Sequence, residues 1–99
     1  DIIGVTRSGK AVTIKFWANK EQAAYILTKP IHPSQRVVSV GDNAGGSIFE
    51  IRVEPNFEFY AVMLGFGAGV RILSANSVVR EIKRTLRLAA EQYEKGWEM

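Results

Sequence analysis

Between residues 11 and 17 polar and apolar positions alternate. Val12, Ile14 and Phe16 fall on one side and Thr13, Lys15 and Trp17 on the other, the period of two that marks a half-buried strand. The period then lengthens. Asn19 is placed as an N-cap whose side chain accepts from a free N–H of the first helical turn, with Gln22 at the capping-box position and Glu21 near the positive end of the helix dipole. Ala23, Ala24, Ile26 and Leu27 supply the apolar stripe of this helix. Pro30 stops it, because proline has no N–H and disfavours helix in the residue before it. His32-Pro33-Ser34-Gln35 reads as a loop and residues 36–40 as a second strand. Residues 41–46, rich in Gly, Asn and Asp, make a hairpin connection to a third strand over residues 47–54. There Phe49, Ile51 and Val53 point inward and Glu50, Arg52 and Glu54 outward, and Pro55 ends the strand.

Asn56 is the next N-cap, opening a short apolar helix over residues 57–64 that Gly65 closes at the position where a left-handed residue is needed. Residues 70–73 form a fourth strand with Val70 and Ile72 inward. Ser74, Asn76 or Ser77 caps a last helix. Its apolar positions Val79, Ile82, Leu86, Ala89 and Tyr93 follow the three-and-four spacing of an amphipathic helix, and Gly96 ends it.

The order strand, helix, strand, strand, helix, strand and longer helix predicts an α+β domain. It is the ferredoxin-like βαββαβ arrangement, a four-stranded antiparallel sheet with two helices on one face plus the C-terminal helix. The chain has 99 residues, enough for one core, so residues 11–96 read as a single domain. Residues 1–10 read as a linker or short strand from a missing upstream domain, and the opening Asp1 reads as a piece of a larger protein. There is no cysteine, which excludes disulfides and thiolate metal sites and fits a reducing, cytoplasmic compartment. The longest apolar stretch, residues 59–70, is well short of the ~20 residues a membrane span needs. A net charge of +3 is compatible with nucleic acid without demanding it.

Catalytic material is scarce. His32 is the one histidine, and no cysteine stands near any base, so no catalytic residue is expected. His32 has no second ligand at helical or hairpin spacing, so no metal and no cofactor are expected. Gly65-Phe66-Gly67-Ala68-Gly69 resembles a phosphate loop in composition only. It follows a helix and precedes a strand, the reverse of the arrangement that aims a helix N-terminus at a phosphate, so it reads as a structural turn. On the last helix Arg80, Lys83, Arg84 and Arg87 form a basic stripe, a candidate contact for phosphates or an acidic protein surface, diluted by Glu81, Glu91 and Glu94. The outward face of the third strand does not suit base stacking, and Trp17 is the outward aromatic of the central strands.

Several short pieces in order carry a family resemblance: Pro30-Ile31-His32-Pro33-Ser34-Gln35, Pro55-Asn56-Phe57-Glu58, Leu64-Gly65-Phe66-Gly67, and Val70-Arg71-Ile72-Leu73 leading to Val79-Arg80-Glu81-Ile82. Over roughly residues 5–93 the chain resembles the C-terminal extension of WYL-domain transcriptional regulators. That family joins an N-terminal winged helix-turn-helix, a central Sm-like WYL barrel and this extension. The Trp-Tyr-Leu motif and the helix-turn-helix are both absent here. The resemblance therefore implies a regulatory and dimerisation module rather than an operator reader, with DNA bound through the missing N-terminal domain. It implies a homodimer and a border on an effector site, where nucleic acid is the implied effector. The positions it carries over are His32, Ser34, Gln35 and Arg36 in the signature loop and Gly65, Phe66 and Gly67 in the turn. Two other classes share the same element order: a small-molecule-binding regulatory domain of the amino-acid-sensing type, with a dimer-interface pocket lined by the Gly65–Gly69 turn, and an enzyme using His32.

Overall fold

The computed structural model describes residues 10–41 and 45–96. The alternation becomes strand β1 (Val12–Ala18), and Asn19 caps helix α1 (Lys20–Thr28) by accepting from the Gln22 N–H at 2.9 Å. Strands β2 (Arg36–Ser39) and β3 (Ser47–Val53) follow, then helix α2 (Phe57–Gly65), capped by Asn56 accepting from the Phe59 N–H at 2.8 Å. A single 3₁₀ turn at Gly67–Gly69 leads into strand β4 (Val70–Ser74) and helix α3 (Asn76–Glu94). The expected linker at residues 1–10 lies outside the described residues except for Lys10, and so does the middle of the 41–46 connection.

The four strands make one antiparallel sheet in the order β2-β3-β1-β4. The central pair sets its register: Ile14 lies opposite Ile51, and Phe16 opposite Phe49, with ring centroids 5.4 Å apart and stacked. These four side chains and Val53 are buried on one face. Ala23 and Ile26 of α1, Phe59 and Met63 of α2, Ile72 of β4 and Val78 of α3 join them in one apolar cluster. Both short helices thus cover the same face of the sheet, and the opposite face carries Thr13, Lys15, Trp17, Glu50 and Arg52.

Several local expectations change in three dimensions. Ala24 and Leu27 are exposed, because a helix of nine residues lying flat on a sheet needs only the narrow Ala23–Ile26 stripe. The capping box on α1 is not closed. The Asn19 N–H instead donates to the Gly69 carbonyl at 2.9 Å, and Gln22 lies over Gly69, where an added Cβ would sit 2.6 Å from Gln22 Cγ. Tertiary contact replaces the local bond and ties α1 to the turn before β4. Gly65 remains inside α2. The left-handed residue is Gly67, at φ 59°, after Phe66 has already ended the helix. None of Ser74, Asn76 and Ser77 caps α3: its N-cap is Ala75, without a side-chain bond, and the Ser74 hydroxyl instead accepts from the Lys15 N–H at 3.3 Å. Glu54 falls just beyond β3 rather than on its outward ladder, with Oε1 buried and unpartnered among the described residues.

Helix α3 leaves the domain as it proceeds. Val78 is its one buried residue among those described, Val79 and Ile82 pack half-buried against the core, and from Leu86 onward the helix lies in solvent. Nineteen residues span roughly 28 Å at the usual rise per residue.

Truncating the central aromatic pair removes packing that no neighbour can replace. Phe49→Ala is expected to lower unfolding free energy by about 3–5 kcal/mol, read from the midpoint of urea denaturation at unchanged slope.

Candidate functional site

The signature loop is held from three sides. Ile31 is buried, and its N–H donates to Gln35 Oε1 at 2.9 Å, while Gln35 Nε2 donates to the Ile26 carbonyl at 3.2 Å. Gln35 thereby ties the end of α1 to the start of β2. Ser34 Oγ accepts the Arg52 N–H at 2.8 Å and lies 3.2 Å from the Arg52 carbonyl. In the register that pairs Arg36 with Glu50, Ser34 falls opposite Arg52, so its hydroxyl continues the β2–β3 ladder one step beyond the strand. Arg36 forms an ion pair with Glu50 at 2.7 Å, and Arg52 Nη1 donates to Thr13 Oγ1 at 3.3 Å across the open face.

His32 belongs to the same cluster. Its Nδ1 accepts the Ser34 N–H at 3.1 Å and lies 2.8 Å from Ser34 Oγ. A backbone N–H can only donate, so Nδ1 carries no proton, and the neutral ring holds its proton on Nε2. Burial lowers the His32 pKa below its ordinary value, in keeping with that neutral form. All four loop residues singled out by the family resemblance therefore make bonds within the domain.

The Gly65-Phe66-Gly67 turn, which leads from α2 toward β4, also packs against α1. Phe66 packs edge-on against Tyr25 of α1 at 6.5 Å, and its carbonyl accepts the Gly69 N–H at 3.1 Å. The turn also forms one end of a groove of about 450 Å³ between α2, β4 and α3. Its apolar wall includes Met63, Leu64, Val70, Ile72, Leu73, Val79, Ile82 and Leu86, its polar members are Arg71, Lys83 and Asn76, and no carboxylate lines it. The sequence marked Gly67 and Lys83. It did not mark Arg71 and Leu73, which alternate with the inward Val70 and Ile72 of the fourth strand.

Of the basic residues on α3, Arg84 is committed to Glu81 on the same helix, with Nη2 to Oε2 at 3.0 Å. That hydrogen bond holds the Glu81 carboxyl below its usual range and raises the Arg84 guanidinium. Tyr60 is pushed upward by burial and by the Glu81 charge. Arg80, Lys83 and Arg87 have no such partner among the described residues. The loop sits at the β2 edge and α3 follows β4 at the other edge, three strand spacings or roughly 14 Å away, so the two candidate sets do not form one site. Among the described residues no group of three His, Asp or Glu comes together to hold a metal, and no helix is long and apolar enough to cross a membrane.

Together these features define an antiparallel α+β sheet domain whose polar loop residues are bound internally and whose apolar groove lies beside a projecting helix. Residues 10–90 match the WCX domain, and the chain belongs to that family, the C-terminal extension of WYL-domain regulators. No curated protein matches the sequence.

The neutral His32 makes stability depend on pH. The unfolded chain takes up a proton near pH ~6.5, and the folded loop resists it, so stability is full above that value and declines as pH falls through it. The melting temperature is expected to fall between about pH 7.5 and about pH 5.5, and this step should vanish in His32→Gln.

Proposed function

We propose that the chain is a non-catalytic regulatory and dimerisation module of a bacterial-type WYL-family transcriptional regulator acting in the cytoplasm. Its strand order, with α1 and α2 on one face, supports the ferredoxin-like plan. DNA is bound through an N-terminal domain outside this chain, and the module borders the effector site, with nucleic acid as the candidate effector. Family membership supports the regulatory part. The observation that carries the dimerisation part is α3, whose apolar stripe continues past the domain it starts from. Leu86 is 51% exposed and Tyr93 is 92% exposed, although both hold stripe positions. Amphipathic helices are stabilised chiefly by covering that stripe, and this one has nothing on it beyond Ile82.

The cavity favours a second reading, a regulatory domain for small molecules. A volume of about 450 Å³ is within the range of ligand pockets, and a lining of apolar side chains with Arg71, Lys83 and Asn76 suits the carboxylate and apolar side chain of a small amino or keto acid. A saturating ligand of that class should raise the melting temperature if this reading is right.

The first reading is tested by molar mass. Light scattering over a concentration series is expected to give twice the 11.0 kDa chain mass, stable on dilution into the low micromolar range. A strict 11.0 kDa particle at every concentration would remove dimerisation as an activity of this chain.

A further inference from the structure

We infer that two copies of this chain associate through antiparallel packing of their α3 helices, each laying its C-terminal half along the groove beside the other's β4. This rests on the dimerisation reading above and specifies its surface. Two halves of one helix carry the argument. In the first half, Val79, Ile82 and Leu86 form one wall of the groove, with Met63, Val70 and Leu73 opposite. In the second half, Leu86, Ala89 and Tyr93 continue the stripe with nothing packed on it. Each copy thus offers an unfilled groove and an uncovered ridge in line with it. The positions 79, 82, 86, 89 and 93 repeat in steps of three and four, the spacing that lets two helices interdigitate as a and d positions. In the antiparallel alignment that sets a against d, Tyr93 of one copy meets Ile82 of the other and Leu86 meets Ala89, large against smaller in each layer.

Charge selects the occupant and the direction. Along one flank of the stripe lie Arg80, Lys83 and Arg87, then Glu94 with Glu91 beside it. None of these five forms an ion pair among the described residues. In a parallel pair this flank would face the partner's opposite flank, which carries Glu81, Thr85 and Gln92, rather than the same flank. The antiparallel pair sets Glu94 of each copy between Arg80 and Lys83 of the other, twice by symmetry. Arg71 and Lys83 line the groove and no carboxylate does, so the groove suits an amphipathic segment with an acidic flank, which the end of α3 is.

The absence of cysteine makes the test clean. Leu86→Glu places two carboxylates near the two-fold axis and is expected to weaken association at least about 100-fold by light scattering. Leu86 is half exposed, so the variant should keep its circular dichroism spectrum, while its unfolding midpoint should lose the concentration dependence that the dimer shows. For direction, Lys83→Cys and Glu94→Cys are prepared separately. When mixed under mild oxidation they should give the mixed disulfide, while neither alone should link to itself, because only the antiparallel pair brings these positions within the ~7 Å Cα separation a disulfide spans. Self-linking of each variant would overturn the antiparallel arrangement. A wild-type dimer that Leu86→Glu leaves intact would overturn the α3 surface while sparing the dimerisation reading. A wild-type monomer at all concentrations would overturn both, and would leave the groove to a small ligand or to another part of the regulator.

Discussion

The register between β1 and β3 is the constraint on which the rest of this domain depends. Phe16 opposite Phe49 and Ile14 opposite Ile51 put four large side chains on one face of the two central strands. Side chains in a strand alternate with a period of two, so a slip by one residue would turn one strand's pair to the other face and bring either Trp17 or Glu50 and Arg52 into the core. The face chosen fixes where α1 and α2 must lie, because Ala23, Ile26, Phe59 and Met63 have no other apolar surface to cover. It fixes the character of the open face as well, where Lys15, Glu50 and Arg36 sit in one row across three strands with alternating sign. An exposed row of this kind contributes little to stability but sets what the surface will accept.

The two ends of the sheet are finished differently. At the β2 edge, side-chain bonds complete what the short strand lacks. Ser34 satisfies the main chain of Arg52, and Gln35 satisfies Ile31 and Ile26. These polar residues look like a site in the sequence because they are polar and clustered, yet each is occupied in holding the loop. At the β4 edge no loop closes the structure. The strand is bordered by a groove lined largely by apolar side chains and by a helix that departs from the body.

The turn between α2 and β4 links these features. Gly67 takes the left-handed conformation, Gly69 lets Gln22 come close, and the Gly69 carbonyl receives the Asn19 N–H. One short segment thus sets the cap of α1, the end of α2 and the start of the groove. Its glycines serve backbone geometry, and their likeness to a phosphate loop comes from composition alone.

Patterns of short range were legible in the sequence. The alternation at residues 12–18 and 47–53, the caps at Asn19 and Asn56, the stop at Pro30 and the three-and-four stripe of the last helix each depend on neighbours within a turn or a strand, so the chain itself encodes them. So did the family, whose short motifs lie on these elements. What required the tertiary structure was every choice among distant partners. Asn19 gave its N–H to Gly69 rather than to Gln22, Ser74 turned to Lys15 rather than capping α3, and Gly67 took the left-handed place expected for Gly65. The groove belongs to the same class, since Met63, Leu73 and Ile82 come from three elements and share no local pattern. Local spacing determines which face of a helix or strand is apolar. Only the packed chain decides which of those faces is already covered and which is left exposed.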